Sequence, residues 1–249
     1  MSGHSKWSTI KRKKAVTDAA RGKMFSKYIK EITMATRIGG GDPATNPRLR
    51  TAILASKSVN MPAANIERAV KKGSGELEGS HYEEVHYEGY GPSGVAMLVE
   101  CATDNHNRTT AEVRNIFTKS GGNMAAAGAV SYLFKQRGLL VLDRGVITEE
   151  ALMEIVLEAG ADDVQSDELH HEVYTPPSAF EAVRAALEAR QVPTLSGEVT
   201  KLASLLVPVS DRDGERVLRL ADLLEDNDDV QKVFTNAQLP DSLLAKLSE

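Results

Sequence analysis

The chain has 249 residues, 41% of them hydrophobic and 26% charged, with a formal net charge of −5; this is an ordinary balance for a globular protein with room for more than one domain. No apolar run approaches the roughly twenty residues of a membrane span, and the basic N-terminus has no apolar stretch after it, so it does not read as a secretory signal. A single cysteine, Cys101, excludes an intramolecular disulfide and fits a reducing, cytoplasmic setting.

The modest net charge hides an asymmetry. Residues 1–72 hold sixteen Lys/Arg and four Asp/Glu, a surplus of twelve positive charges, whereas residues 73–249 hold fourteen Lys/Arg and thirty-one Asp/Glu, an excess of seventeen negative ones. A basic block of this size points to a polyanion partner, most often nucleic acid.

Residues 1–14 lack apolar periodicity and read as a basic arm carrying His4, Lys6, Lys11, Arg12, Lys13 and Lys14, with one large aromatic, Trp7. Trp7 is suited either to anchoring the arm or to stacking on a base. A helix follows Thr17-Asp18, either of which can cap it, with Phe25, Tyr28, Ile29, Ile32 and Ala35 as its buried face. Arg21 lies in its first turns. Lys23, Lys27 and Lys30 recur at i, i+4 and i+7, and the surplus of positive charge around them suggests a stripe facing phosphates rather than only solvent.

Gly39-Gly40-Gly41-Asp42-Pro43 ends this helix, and no Gly-Lys-Ser/Thr follows, so it is not a phosphate-binding P-loop. Asn46-Pro47 starts a second helix, with Asn46 as its cap and Arg48 and Arg50 on its outer side. Asn60-Met61-Pro62 repeats the start signal for a third, which carries Arg68, Lys71 and Lys72 towards its C-terminal end. The join between these two helices has the outline of a helix-turn-helix, in which Asn65, Arg68 and Lys72 would approach bases; any helical bundle contains such joins.

Beyond Gly73-Ser74-Gly75 the pattern changes to a strand over 82–87, a dense turn at 89–94 and an apolar strand over 95–101 containing Cys101, which reads as an inert core thiol. Thr109 and Glu112 fit a capping box for the helix after it. From Val130 the order is strand, strand, helix, strand, strand, helix, strand, and its βαββαβ portion suggests a ferredoxin-like unit. A last helix over about 215–224 and a strand over 229–234 have no sheet of their own and complete the sheet begun at 82–101. The fold class expected is therefore α+β in three parts: an arm and helical domain (1–78), a discontinuous α+β domain (79–129 plus 205–249), and a ferredoxin-like α+β domain inserted into it (130–204). The acidic run Glu225-Asp226-Asn227-Asp228-Asp229 reads as a solvated loop.

The six histidines make no His-Glu-x-x-His pattern and one cysteine makes no zinc ribbon, so neither a metal site nor a cofactor is expected. The one polar cluster open to an enzymatic reading is Asp104, Asn105, His106 and Arg108, directly after a buried strand, where Asp and His two apart could form an acid–base pair; its commoner role is to satisfy helix amides and ion pairs. We therefore expect no enzyme, and treat Asp104, Asn105, Arg108 and Thr109 as a secondary functional loop.

Taken in order, Gly3-His4-Ser5-Lys6-Trp7, Arg21-Gly22-Lys23, Gly39-Gly40-Gly41-Asp42-Pro43, Asn46-Pro47-Arg48-Leu49-Arg50, Asn60-Met61-Pro62, Tyr87-Glu88-Gly89-Tyr90-Gly91-Pro92, Thr103-Asp104-Asn105, Asn107-Arg108-Thr109 and Gly121-Gly122-Asn123 resemble the YebC family, which includes the mitochondrial translational activator of cytochrome c oxidase subunit one. The resemblance spans essentially the whole chain. It implies the same three-part architecture and a non-enzymatic regulator of gene expression. The partner is nucleic acid: promoter DNA for a transcriptional regulator, or ribosomal or messenger RNA, and the ribosome itself, for a translation factor that relieves stalling at proline runs. Two departures stand out: His106 replaces a common Arg, and Arg12-Lys13-Lys14 replaces a common His-Arg-Lys.

Overall fold

The computed structural model describes residues 18–79 and 81–248. Three helices come first: α1 (Asp18–Gly39), α2 (Pro47–Ser58) and α3 (Ala63–Ser74). Ile32, Ala35, Leu49, Ala52, Met61, Ile66 and Ala69 form their shared core, with Phe25, Tyr28 and Ile29 at its edge. Both short helices pack principally on α1. Asn46 caps α2, accepting the Leu49 amide at 3.1 Å, while its own amide donates to the carbonyls of Ala35 and Gly40 at 2.8 Å each; it ties the end of one helix to the start of the next. Asn60 departs from expectation. It adopts a left-handed conformation (φ 59) in the turn, and α3 begins after Pro62 without a side-chain cap.

The middle sheet has the order β3-β1-β2-β9, all antiparallel, from β1 (Glu83–Tyr90), β2 (Ala96–Thr103), β3 (Asn123–Met124) and β9 (Val230–Thr235). β1 runs three residues further than the alternation suggested and takes in Gly89. There an added Cβ would meet the Asn123 carbonyl at 2.7 Å and the Phe117 ring, so the glycine lets β3 pair and α4 pack close. Two helices, α4 (His106–Lys119) and α7 (Asp211–Glu225), cover one face, burying Val113, Phe117, Leu220 and Leu224 against Met97, Val99 and Cys101. Burial pushes the Cys101 thiol up to about 12, which keeps it protonated. α4 starts at His106, and its cap lies four residues before the expected Thr109: Asn105 is the cap and accepts the Arg108 amide at 3.0 Å.

The second sheet, in the order β5-β6-β4-β7, is the ferredoxin-like βαββαβ unit: β4 (Phe134–Asp143), α5 (Glu149–Glu158), β5 (Asp163–Ser166), β6 (His170–Thr175), α6 (Phe180–Ala189) and β7 (Ser196–Ala203). Two strands expected over 130–142 are one. Gly138 sits inside β4, where an added Cβ would lie 2.2 Å from the Thr175 hydroxyl. A parallel pair, β8 (Val207–Pro208) with β10 (Ala237–Gln238), and a final helix, α8 (Asp241–Ser248), finish the chain. The two larger sheets meet through Ala96, Leu98, Val130, Phe134 and Phe234.

Candidate nucleic-acid interface

Of the basic residues singled out above, His4, Lys6, Trp7, Lys11, Arg12, Lys13 and Lys14 lie outside the described residues, as does the side chain of Arg21. The rest fall into two groups.

The first group is turned inward, onto the protein's own acids. Lys23 Nζ donates to Asp226 Oδ1 at 2.9 Å and to the Asp226 carbonyl at 3.3 Å. Lys27 Nζ donates to the Glu225 carbonyl at 3.0 Å. Lys30 Nζ reaches Asp229 Oδ1 at 2.7 Å and the carbonyls of Asp228 (2.8 Å) and Ala102 (3.3 Å). The row expected to face phosphate or solvent instead faces the turn after α7, and the run 225–229 is solvated only in part: Asp226 and Asp228 are exposed, whereas Asp229 is buried. Opposite charge explains both: the turn sets carboxylates and main-chain carbonyls along the lysine-bearing side of α1. Arg48 belongs here too. It holds Glu31 through two bonds of 2.7 and 3.0 Å and Glu84 of β1 at 2.7 Å, so it joins α1, α2 and the middle sheet. Arg50 donates to the Pro43 carbonyl at 3.0 Å, bracing the connector before α2.

At the centre of this contact lies Asp229, only 6% exposed beside Lys30 at 11%. Its second oxygen accepts from Arg108 at 2.6 Å and lies 2.7 Å from the Thr109 hydroxyl and 3.2 Å from that of Thr103. Burial alone would raise its pKa, but Arg108, Lys30 and Thr109 outweigh burial and hold it at about 2. The secondary loop is thus a helix start built around Asp229. Asn105 caps α4, Arg108 bridges Asp104 (3.0 Å) and Asp229, and Thr109 is fully buried. Asp104 is paired with Arg108 and the His106 ring packs at 6.2 Å from that of Tyr87, so the two are not joined as an acid–base pair.

The second group faces outward from α3. Arg68 and Lys71 are exposed and Lys72 is half-buried, and among the described residues none of them has an ion-pair partner. Asn65, Arg68 and Lys72 line a shallow cleft of about 190 Å³ whose floor is Ile29 and Ala69. The cleft combines two cations, an amide and a small apolar floor, a set that fits a phosphate with an adjoining base or sugar face. Both α2 and α3 lean on α1, so the mutual packing that would make them a helix-turn-helix is not their main support. What the residue-by-residue reading missed was the internal counter-ions, Glu84, Asp226 and Asp229. The signal was the seventeen excess negative charges downstream, which the sequence does not place opposite particular lysines.

Two family models match the chain: the TACO1/YebC protein N-terminal domain over residues 5–76, and the TACO1/YebC second and third domain over residues 82–237. The chain belongs to the TACO1/YebC family. Its relatives include proteins named "Probable transcriptional regulatory protein" from Geobacter sulfurreducens (56% identical, 99% of this chain and 100% of the relative), Desulfotalea psychrophila (53%, the whole of both) and Treponema denticola (52%, 97% and 98%). A crystal structure of a conserved hypothetical protein from Aquifex aeolicus is similar to it, with a TM-score of 0.79 and 50% identity over 90% of this chain and 92% of that one. For this TACO1/YebC chain, the α+β class and the helical N-terminal part expected from the residues are the ones found.

Proposed function

We propose that the protein is a non-enzymatic, DNA-binding regulator of transcription that holds the phosphate backbone through the outer face of α3 and the basic arm before α1. The observation that carries this is the Arg68–Lys71–Lys72 cluster, gathered on one helix beside the cleft and without ion-pair partners among the described residues, whereas Lys23, Lys30 and Arg48 of the same helical domain are paired with acids of the protein itself. A protein that leaves three cations uncompensated on one helix has somewhere to put an anion. Lys71 and Lys72 also complement the negative end of the α3 dipole, but two further features favour an anion partner: the cleft, and the positive charge of the sequence 1–14. The name shared by the relatives supports transcription over translation.

Phosphate contacts give affinity and little sequence preference. Titration of a DNA duplex with the intact protein across a salt series is therefore the direct test. Replacing Arg68, Lys71 and Lys72 by Ala is expected to flatten the log–log salt slope by about one unit for each residue that touches phosphate. A slope unchanged in the triple variant would remove α3 from the interface. Crosslinking in cells, with both bound DNA and bound RNA sequenced, separates the physiological targets: enrichment at promoter segments supports the transcriptional reading, and enrichment on ribosomal RNA replaces it with a ribosome-associated translation factor.

A further inference from the structure

The turn 225–229 meets α1 as a nucleic-acid strand would. Three ammonium groups spaced at i, i+4 and i+7 each find oxygens at 2.7–3.3 Å: carboxylate oxygens of Asp226 and Asp229, and carbonyl oxygens of Glu225, Asp226, Asp228 and Ala102. These partners lie about 200 residues away in the chain, apart from Ala102, so the contact is a meeting of separate parts of the fold rather than local helix chemistry. It is also graded. Lys30 and Asp229 are 11% and 6% exposed, and Asp229 is fixed from behind by Arg108 and Thr109. At the other end Lys23 and Asp226 are 48% and 68% exposed, and the pair has one carboxylate bond of 2.9 Å and a longer bond of 3.3 Å to the Asp226 carbonyl. Exposed pairs are weak and screened by salt, so this end is the weaker of the two. It is also the end that continues, in sequence, towards the Lys11-Arg12-Lys13-Lys14 run.

We propose that the Lys23 end of α1 is a second polyanion-binding surface, covered at rest by the acidic turn at Asp226, and that a nucleic-acid backbone displaces this turn while the Lys30–Asp229 contact stays closed. The proposal rests on the nucleic-acid reading above and adds a surface and a regulation to it: affinity is set partly by how readily the turn gives way. The released carboxylate of Asp226 would be left in solvent, where it costs little.

The test is a double-mutant cycle on the intact protein, with a short fluorescein-labelled DNA duplex as probe and affinity measured across a salt series. Asp226→Asn is expected to tighten binding and steepen the log–log slope by about one unit, because one more lysine is open to phosphate. Lys23→Gln is expected to lower affinity more in the Asp226→Asn background than in the parent, since there the lysine has lost its carboxylate partner and meets only uncharged oxygens. Thermal melting should be close to the parent for all three variants, as Lys30 and Asp229 are untouched. No gain from Asp226→Asn overturns the proposal. Additive effects overturn it as well, because they mean that Asp226 acts by general repulsion and not by covering Lys23. The Arg68–Lys71–Lys72 triple variant reports on the first reading alone: if it binds as the parent does while the cycle is non-additive, α3 is wrong and the covered surface stands. A duplex bound by none of the proteins overturns both.

Discussion

At Gly73 the backbone of α3 runs so close to α1 that an added Cβ would lie 2.5 Å from the Thr33 carbonyl oxygen and 2.6 Å from Thr36 Cβ. The first atom met is main chain, so no side-chain rotation relieves the clash. Gly73→Ala is expected to destabilise the helical domain by about 1–3 kcal/mol, seen as a lowered midpoint in thermal unfolding, although alanine has the better helix propensity. In the sequence this glycine opens Gly73-Ser74-Gly75, where the composition changes. The helix itself stops at Gly75, which takes the left-handed conformation (φ 86). Local pattern shows where a chain turns, and not where two helices touch. Asn46 was the opposite case: its role as a cap is written in Asn46-Pro47, because a cap bonds within three residues of itself.

Among the elements, α1 shows what a periodic pattern can and cannot tell. Its apolar face was legible from Phe25, Tyr28, Ile29 and Ile32, since 3.6-residue periodicity selects one side. The identity of what covers the lysine side was not, because a charged row fits phosphate, water and carboxylate alike. Asp229 decides it. Replacing Asp229 by Ala strands Lys30 in a part-buried site and removes the partner of Arg108 and Thr109. Breaking a buried pair from one side costs about 3–5 kcal/mol, and the loss should show as faster hydrogen exchange along α1 and at the start of α4. Asp229→Asn keeps the shape and a hydrogen bond to Thr109, so it is expected to fall between Ala and the parent. Equal exchange in parent and Ala variant would mean that the apolar core of the three helices, and not this carboxylate, holds α1 in place.

On the scale of the whole molecule, three parts are held by charge as well as by apolar contact. Arg48–Glu84 and Lys30–Asp229 join the helices to the middle sheet. Lys201–Glu100 (2.6 Å) and Lys232–Glu198 (3.0 Å) join the middle sheet to the ferredoxin-like one, beside the Phe134–Phe234 contact. Burial would raise the pKa of Glu100, but His86 and Lys201 outweigh burial and hold it at about 2, the same value as Asp229. Unfolded carboxyls titrate near about 4. Both folded values are lower, so the stability these groups give is complete above about pH 4 and drains as pH falls towards 2. Small-angle scattering through that window should show the parts separating, with the particle radius growing before helical circular dichroism is lost. An unchanged radius down to pH 2 would mean that the apolar contacts suffice. The return of the chain from the second sheet to the first was legible, because the strand at 230–235 had no other sheet to join; β9 lies beside β2. The register, the parallel β8–β10 pair and α8 were not, since short segments carry too little periodicity to identify.

The distance in sequence between Lys30 and Asp229 has a consequence in time. The residues that cover α1 are made 199 positions after it. At about 5–20 residues per second, the helical domain emerges from the ribosome roughly 10–40 s before its acidic turn exists. During synthesis, then, the lysine row exists for that interval without the turn that closes it, next to a ribosome whose RNA is itself a polyanion.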